Sequence, residues 1–333
     1  MAQYYSTFPA GFEPAIEEFI ARDMPGVQLL RTLEGAVEYK RRGTLTEIPT
    51  WFNNTFLCLT TFARAPKDPI QHMVRLALTR GVDSETILNH MPDGAATFRA
   101  MFMVDGLISH TGEKTMAKAE AFLADMSGLR PGRALPDVEF WFLYRSKEGL
   151  GFLLMRLTYR KEQGQQARPG ELRPDIASLL CRLTNPKPGE TFLDPFAGSG
   201  GIARARLRTP AEKVIAGDIA PSADLRYALR GADNGTILKM DALAMADIPS
   251  GSVDAIACDP PWGDTMPIAN AQTFYGKFAA EAKRVLKRGG RLVMLTALKK
   301  EAEEALVMNF ALDGRLEVLV AGKKATVFIC RNA

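Results

Sequence analysis

The apolar positions of this chain change rhythm near its middle. In the first half, Phe12, Ile16, Phe19 and Ile20 recur at a helical period and Pro14 falls in a first turn, which predicts a helix over residues 13–22. Apolar runs predict strands over 37–40, 56–62 and 98–104, the last with Met101, Phe102 and Met103 in its core, and a helix over 70–79. Met116, Ala119, Phe122, Leu123 and Met126 share one face of a predicted helix over 114–126 that stops at Gly128. Strands over 138–144 and 151–159 follow. This irregular order is an α+β pattern.

Residues 161–170 are polar, contain Gly and Pro, and read as a linker. Beyond them the pattern becomes regular. A helix over 175–184 aligns Ile176, Leu179, Leu180 and Leu183. Unbroken apolar runs at 191–193, 214–218, 236–240, 253–258 and 291–296 then alternate with helical stretches, as strands buried on both faces of a parallel sheet do. A hairpin of 316–320 and 325–329 around Gly322-Lys323-Lys324 closes the series. The expected class is α/β: a doubly wound sheet over 166–333 ending in an antiparallel hairpin, preceded by an α+β region over 1–165.

A length of 333 residues suits two domains, and 47% apolar with 24% charged residues excludes global disorder. No apolar run approaches the roughly 18 residues of a membrane span, and the first residues lack the basic-then-apolar pattern of a secretory signal, so a cytoplasmic protein is expected. Cys58, Cys181, Cys258 and Cys330 are far apart, which argues against a zinc site or a disulfide framework. The net charge is +4; residues 1–165 carry 19 basic and 19 acidic side chains, so the excess lies in the second half. That excess is too small to establish a nucleic-acid partner. Lys40-Arg41-Arg42, Arg204/Arg206/Arg208 and Lys283/Arg284/Lys287/Arg288/Arg291 are candidate basic patches, each on its own better read as a solvated face. His72, His90 and His110 lie outside the chemical motifs and read as structural or surface residues.

Two motifs carry chemistry. Leu193-Asp194-Pro195-Phe196-Ala197-Gly198-Ser199-Gly200-Gly201-Ile202-Ala203 lies between a predicted strand and a helix, where glycines permit a sharp turn and close approach of a ligand to the main chain. Asp218 ends the next strand, where a carboxylate can accept both hydroxyls of a ribose. This motif indicates an adenosine-type cofactor and leaves NAD and S-adenosylmethionine both open. The second motif, Cys258-Asp259-Pro260-Pro261-Trp262-Gly263, follows the fourth strand directly. Two prolines fix the backbone and remove two donors, Trp262 can lie against a flat base, and Asp259 can accept from an exocyclic amino group.

These residues resemble the S-adenosylmethionine-dependent amino-methyltransferases with an [Asp/Asn]-Pro-Pro-[aromatic] motif. The chain is most similar to the branch that carries an N-terminal THUMP domain and methylates guanine N2 in tRNA. The resemblance extends to the "TFPAGFE" start, the "LEGAVEYKRRG" region, residues 98–160 and 170–183, and all of 191–296. It implies a Rossmann-like methyltransferase domain over 166–333 after a ferredoxin-like part near 1–65 and a THUMP part near 66–162. It further implies that Leu172, Arg173 and Pro174 close over the methionine tail, that Asp194, Phe196, Gly198 and Gly200 line the amino-acid and ribose end, and that Asp218 holds the ribose. Asp241 would face the adenine amino group with Ala242 donating a backbone N–H, and Asp259, Pro260 and Trp262 would hold the target base; Trp262 stands where Tyr or Phe is commoner. Tyr275 lies nearby in sequence. The donor is already activated as a sulfonium, so no metal is expected; the implied product is S-adenosylhomocysteine, the implied partner tRNA, with no membrane and no obligate protein partner. Adenine N6 in DNA or RNA, or a protein amide, is the alternative target, although Asn is usual at position 259 there. An NAD-dependent oxidoreductase leaves Asp259-Pro260-Pro261-Trp262 without a role, and a non-catalytic RNA-binding protein leaves Asp259 and the glycine loop without one.

Overall fold

The computed structural model describes residues 1–45, 47–63, 67–132, 134–158, 171–263 and 268–333. The chain forms two compact units: Met1–Thr7 with Ile20–Gly164, and Phe8–Phe19 with Gln165–Ala333.

The first unit is built on one mixed sheet. Its strands are β1 (Ala2–Thr7), β2 (Val27–Leu33), β3 (Ala36–Arg41), β4 (Asn54–Ala63), β5 (Thr97–Val104), β6 (Leu107–Ile108), β7 (Arg130–Pro131), β8 (Val138–Arg145) and β9 (Leu150–Arg156). The order is β2-β3-β1-β4-β9-β8-β5-β6, with β7 beside β5. Pairing is antiparallel except for β5 with β8 and with β7. The division between units passes through α1 (Glu13–Asp23). The remaining helices here are α2 (Pro69–Arg80), α3 (Ser84–Leu88) and α4 (Glu113–Ser127). Asp68 caps α2 by accepting from the Gln71 N–H at 2.9 Å, Pro69 pre-sets its first turn, and α4 ends at Gly128 in the left-handed region.

Four strands escaped the sequence pattern: β1, β2 and the two-residue β6 and β7, and for the two longer ones the reason is physical. β1 lies between β3 and β4, and Tyr4, Tyr5 and Ser6 are all buried in succession, so no alternation marks it. Ser6 Oγ bonds both Tyr39 Oη and Thr55 Oγ1. β2 is an edge strand with Leu29 and Leu30 exposed. His90 is structural, bonding Tyr4 Oη and the Thr86 carbonyl. β9 ends at Arg156, short of the expected 159. Tyr159 and the proposed linker at 161–170 lie outside the described residues.

The second unit follows the expected alternation: α5 (Pro174–Leu183), β10 (Thr191–Asp194), α6 (Gly201–Arg206), β11 (Lys213–Asp218), α7 (Ala223–Ala228), β12 (Gly235–Lys239), β13 (Val253–Cys258), α8 (Ala271–Val285), β14 (Leu286–Thr296), α9 (Lys299–Asn309), β15 (Ala311–Val320) and β16 (Lys323–Arg331). The order β12-β11-β10-β13-β14-β16-β15 is parallel through β14. The final strand β16 wedges between β14 and β15, antiparallel to both, so the edge is β15. The hairpin turn is Ala321-Gly322, both at positive φ, rather than Gly322-Lys323-Lys324; Lys323 and Lys324 already pair in β16. A two-residue turn of that hand matches the right-handed twist of the strands.

The core under this sheet joins Leu193, Ile215, Ile256, Cys258, Phe278, Leu292, Met294 and Phe328, all fully or almost fully buried. Among the described residues no helix is long and apolar enough to cross a membrane, and no group of three or more His, Cys, Asp or Glu could hold a metal ion.

Candidate functional site

The sheet reverses direction of travel at β10: β11 and β12 lie to one side, β13 and β14 to the other. A crevice opens at the carboxyl ends of the strands on either side of such a switch point. Both chemical motifs arrive there, one leaving β10 and the other leaving β13, its paired neighbour.

The loop after β10 is shaped by two residues in the left-handed region, Gly198 at φ 53° and Gly200 at φ 88°. A Cβ on Gly200 would lie 2.7 Å from Ala228 Cβ and 2.9 Å from Leu225 Cδ1, so this glycine lets α7 close on the loop. A Cβ on Gly198 would meet nothing nearer than the Phe196 carbonyl at 4.0 Å, so its face is open to a ligand. The loop is tied down by Ala197 N–H donating to the Gly217 carbonyl at 2.9 Å and by Ser222 Oγ donating to the Gly198 carbonyl at 3.0 Å. The helix that follows, α6, has only six residues.

Asp218 ends β11 and bridges backbone groups, accepting from the Gly198 N–H at 2.9 Å through Oδ2 and from the Ala220 N–H at 2.9 Å through Oδ1. Asp194 ends β10 and is 1% exposed. Its Oδ1 accepts from the Phe196 N–H at 3.3 Å, and its buried Oδ2 has no partner among the described residues. Burial pushes the Asp194 carboxyl well above the usual carboxylate range, and the negative charges of Asp259 and Asp218 push the same way. Three carboxylates therefore gather at the ends of three adjacent strands, a setting that favours a cation.

In the second motif, Trp262 Nε1 donates to Asp259 Oδ1 at 2.8 Å. Burial raises the Asp259 carboxyl to about 7, against the lowering effect of that bond. The indole thus orients the carboxylate as well as offering a flat face. Cys258 is fully buried in the sheet. Residues 264–267 lie outside the described residues.

Phe196 packs on α8, its ring centroid 5.1 Å from Phe278 and 5.9 Å from Phe274. Tyr275 is buried and bonds Thr296 Oγ1 at 2.6 Å, and that hydroxyl also accepts from the Leu298 N–H at 3.0 Å. This pin between α8 and the end of β14 was not visible in the sequence, which gave Tyr275 only proximity. Glu171 and Leu172 sit beside the glycine loop: the Leu172 carbonyl is 3.7 Å from a Cβ placed on Gly201, and Ser199 Oγ donates to Glu171 at 3.3 Å, while Pro174 opens α5. Arg173 pairs with the buried Asp175 at 2.6 Å. Asp241 follows β12, is exposed, and accepts from the Leu243 N–H at 2.9 Å, while Ala242 is buried.

The basic patch at 204–208 dissolves. Arg206 is fully buried, paired with Glu190 at 3.0 Å and lying 5.2 Å from the centroid of the Phe192 ring. The cluster at 283–291 is also largely spent internally: Arg284 holds Glu281 and two carbonyls, Lys287 pairs with Asp254, and Arg291 pairs with Glu190.

Residues 160–206 and 213–324 match the family model described as RMKL-like, methyltransferase domain. The chain is 27% identical over 343 residues to the tRNA (guanine(6)-N2)-methyltransferase of Thermus thermophilus, covering 97% of this chain and 98% of that one. It is 27% identical over 171 residues to the tRNA (guanine(10)-N2)-dimethyltransferase of Methanothermobacter thermautotrophicus, covering 46% of this chain and 49% of that one. The crystal structure of TrmN from Thermus thermophilus shares the fold over 100% of both chains, with a TM-score of 0.77 at 24% identity.

Proposed function

We propose that this chain is an S-adenosylmethionine-dependent RNA methyltransferase that methylates the exocyclic N2 amino group of a guanosine in tRNA. The observation that carries the reading is one of placement. The glycine loop and Asp259-Pro260-Pro261-Trp262 meet at a sheet switch point, in a chain similar along 97% of its length to a tRNA guanine-N2 methyltransferase.

S-adenosylmethionine supplies a methyl group already activated on a positively charged sulfur and leaves as S-adenosylhomocysteine. The residues present fit such a cation: Asp194 Oδ2 is a buried acceptor without a partner among the described residues, and the face of Gly198 is open. Leu172, Pro174, Asp194, Phe196, Gly198 and Gly200 would hold the amino-acid and ribose end, Asp218 the ribose hydroxyls, and Asp241 with Ala242 the adenine. On ligand arrival, Asp218 would exchange part of its bonding to Gly198 and Ala220 for those hydroxyls.

The chemical difficulty lies in the nucleophile. The guanine amino lone pair is delocalised into the ring, and positive charge builds on nitrogen as it attacks. Asp259, oriented by Trp262 Nε1, and the Pro260 carbonyl would accept the amino hydrogens and stabilise that charge. The Trp262 ring would hold the base so that nitrogen, methyl and sulfur are in line. A base inside a stem must first be turned out of its stack. The α+β unit, read as THUMP-containing, would grip RNA by shape and phosphates.

Incubation with unmodified bulk tRNA and methyl-labelled S-adenosylmethionine, followed by digestion to nucleosides, tests the reading. Labelled N2-methylguanosine is expected. Labelled N6-methyladenosine would replace the target base, and an unlabelled tRNA pool would overturn the substrate.

A further inference from the structure

We propose that the groove between α2 and α4 is the surface through which the first unit grips the phosphate backbone of tRNA. The inference rests on the tRNA reading above and adds the place of contact.

The two helices pack side by side and enclose a groove of about 600 Å³. Lys67, Arg75, Lys114 and Lys118 line it, with His72 between them. All four cations are exposed, and none makes an ion pair among the described residues. The one carboxylate in the lining, Asp68, is committed to capping α2 through the Gln71 N–H. Asp68 keeps its negative charge, so the lining carries four cations against one carboxylate, a net excess of positive charge.

The rest of the unit makes this cluster unusual. Residues 1–165 are balanced at 19 basic and 19 acidic side chains. Five of those cations and four of those carboxylates are paired elsewhere: Glu38 with Arg31, Glu139 with Arg99 and Arg156, Glu148 with Arg145, and Glu34 with Lys147. Lys114 and Lys118 stand four residues apart on one helix face, where like charges repel when no anion lies between them. Across the groove, the Arg75 guanidinium bonds His72 Nδ1 at 3.1 Å, which holds a planar donor suited to a phosphate's paired oxygens. The exposed Leu78 gives the groove an apolar component that a sugar face can cover. A linear array of phosphates meets every one of these features.

The test uses the full chain and a tRNA transcript. Arg75→Ala, Lys114→Ala and Lys118→Ala are combined, all at exposed positions. A control removes the same charge from the second unit with Lys283→Ala, Arg288→Ala and Lys300→Ala. Binding is measured across a salt series, together with KM for tRNA, kcat, and direct S-adenosylmethionine affinity. Loss of three phosphate contacts should lower the magnitude of the slope of log K against log salt by about 2 to 3. Affinity at moderate salt should fall by at least about tenfold, with the kinetic change in KM and the cofactor affinity unaltered. A slope and KM unchanged in the groove variant, while the unaltered protein still methylates tRNA, would overturn the groove alone. An equal loss in the control would replace the groove by a diffuse field and overturn it as well. No tRNA binding by the unaltered protein would overturn both the groove and the tRNA reading.

Discussion

Asp259 has two carboxylate oxygens, and the chain itself occupies one of them. With Trp262 Nε1 on Oδ1, Oδ2 is left for a substrate hydrogen, and the half-buried setting strengthens whatever bond forms there. Asp259→Ala should therefore lower turnover by about 10²- to 10³-fold, while calorimetric S-adenosylmethionine affinity changes little; equal loss of both would move Asp259 out of the base-binding role. The elevated carboxyl gives a second expectation. Below about 7 the group is protonated and Oδ2 cannot serve as a charged acceptor for an amino hydrogen, so kcat/KM should rise with pH through that value. The limb in kcat should fall at lower pH, because a cation bound nearby favours the carboxylate. Asp259→Asn should remove the limb in both profiles. The position of the motif directly after a strand was readable because an apolar run precedes it. The indole–carboxylate bond was not, since it depends on the turn that two prolines impose.

At the scale of elements, the strands of the second unit could be read from sequence because each is an apolar run bounded by turn residues. The partners of their side chains could not. Arg206 is four residues beyond Ile202 on the short α6 and looks like one of three surface arginines, yet it is buried against Glu190 and Phe192, and only the paired sheet reveals it. Arg206→Ala should cost about 3 kcal/mol, the low end for breaking a buried pair because Arg291 still holds Glu190. Arg208→Ala, at an exposed position, should stay within about 0.5 kcal/mol. Urea unfolding of the two variants distinguishes a buried strut from a surface patch. Gly200→Ala should cost about 3 kcal/mol, combining left-handed backbone strain with a clash on Ala228 and Leu225. The glycine spacing gave the turn in advance, but the packing of α7 against it is a tertiary fact.

At the scale of the whole molecule, the division of the chain is not a single cut. Sequence composition changes near residue 165, whereas Phe8–Phe19 belongs to the second unit although it is written at the other end. Nothing in its helical period announces that, because periodicity gives a buried face without naming what covers it. The contact is close: a Cβ on Gly11 would come within 2.0 Å of the Glu317 carbonyl on β15, and φ there is 98°, so glycine is required on both counts. Phe12, Ile16 and Phe19 are each at most 1% exposed. Burying three such side chains contributes on the order of 5 kcal/mol, comparable to the whole stability of a small domain. A fragment of residues 166–333 should therefore fail to melt cooperatively and should bind S-adenosylmethionine weakly. Supplying residues 8–19, as a peptide in trans or fused through a flexible linker, should restore a single transition and cofactor binding, and Gly11→Val in that peptide should abolish the rescue. If the bare fragment melts cooperatively at the temperature of the intact chain, the segment is a passenger on the second unit and the composition boundary is the true one. Rescue by the peptide would mean that the first residues of the chain complete the fold of the unit that carries the chemistry.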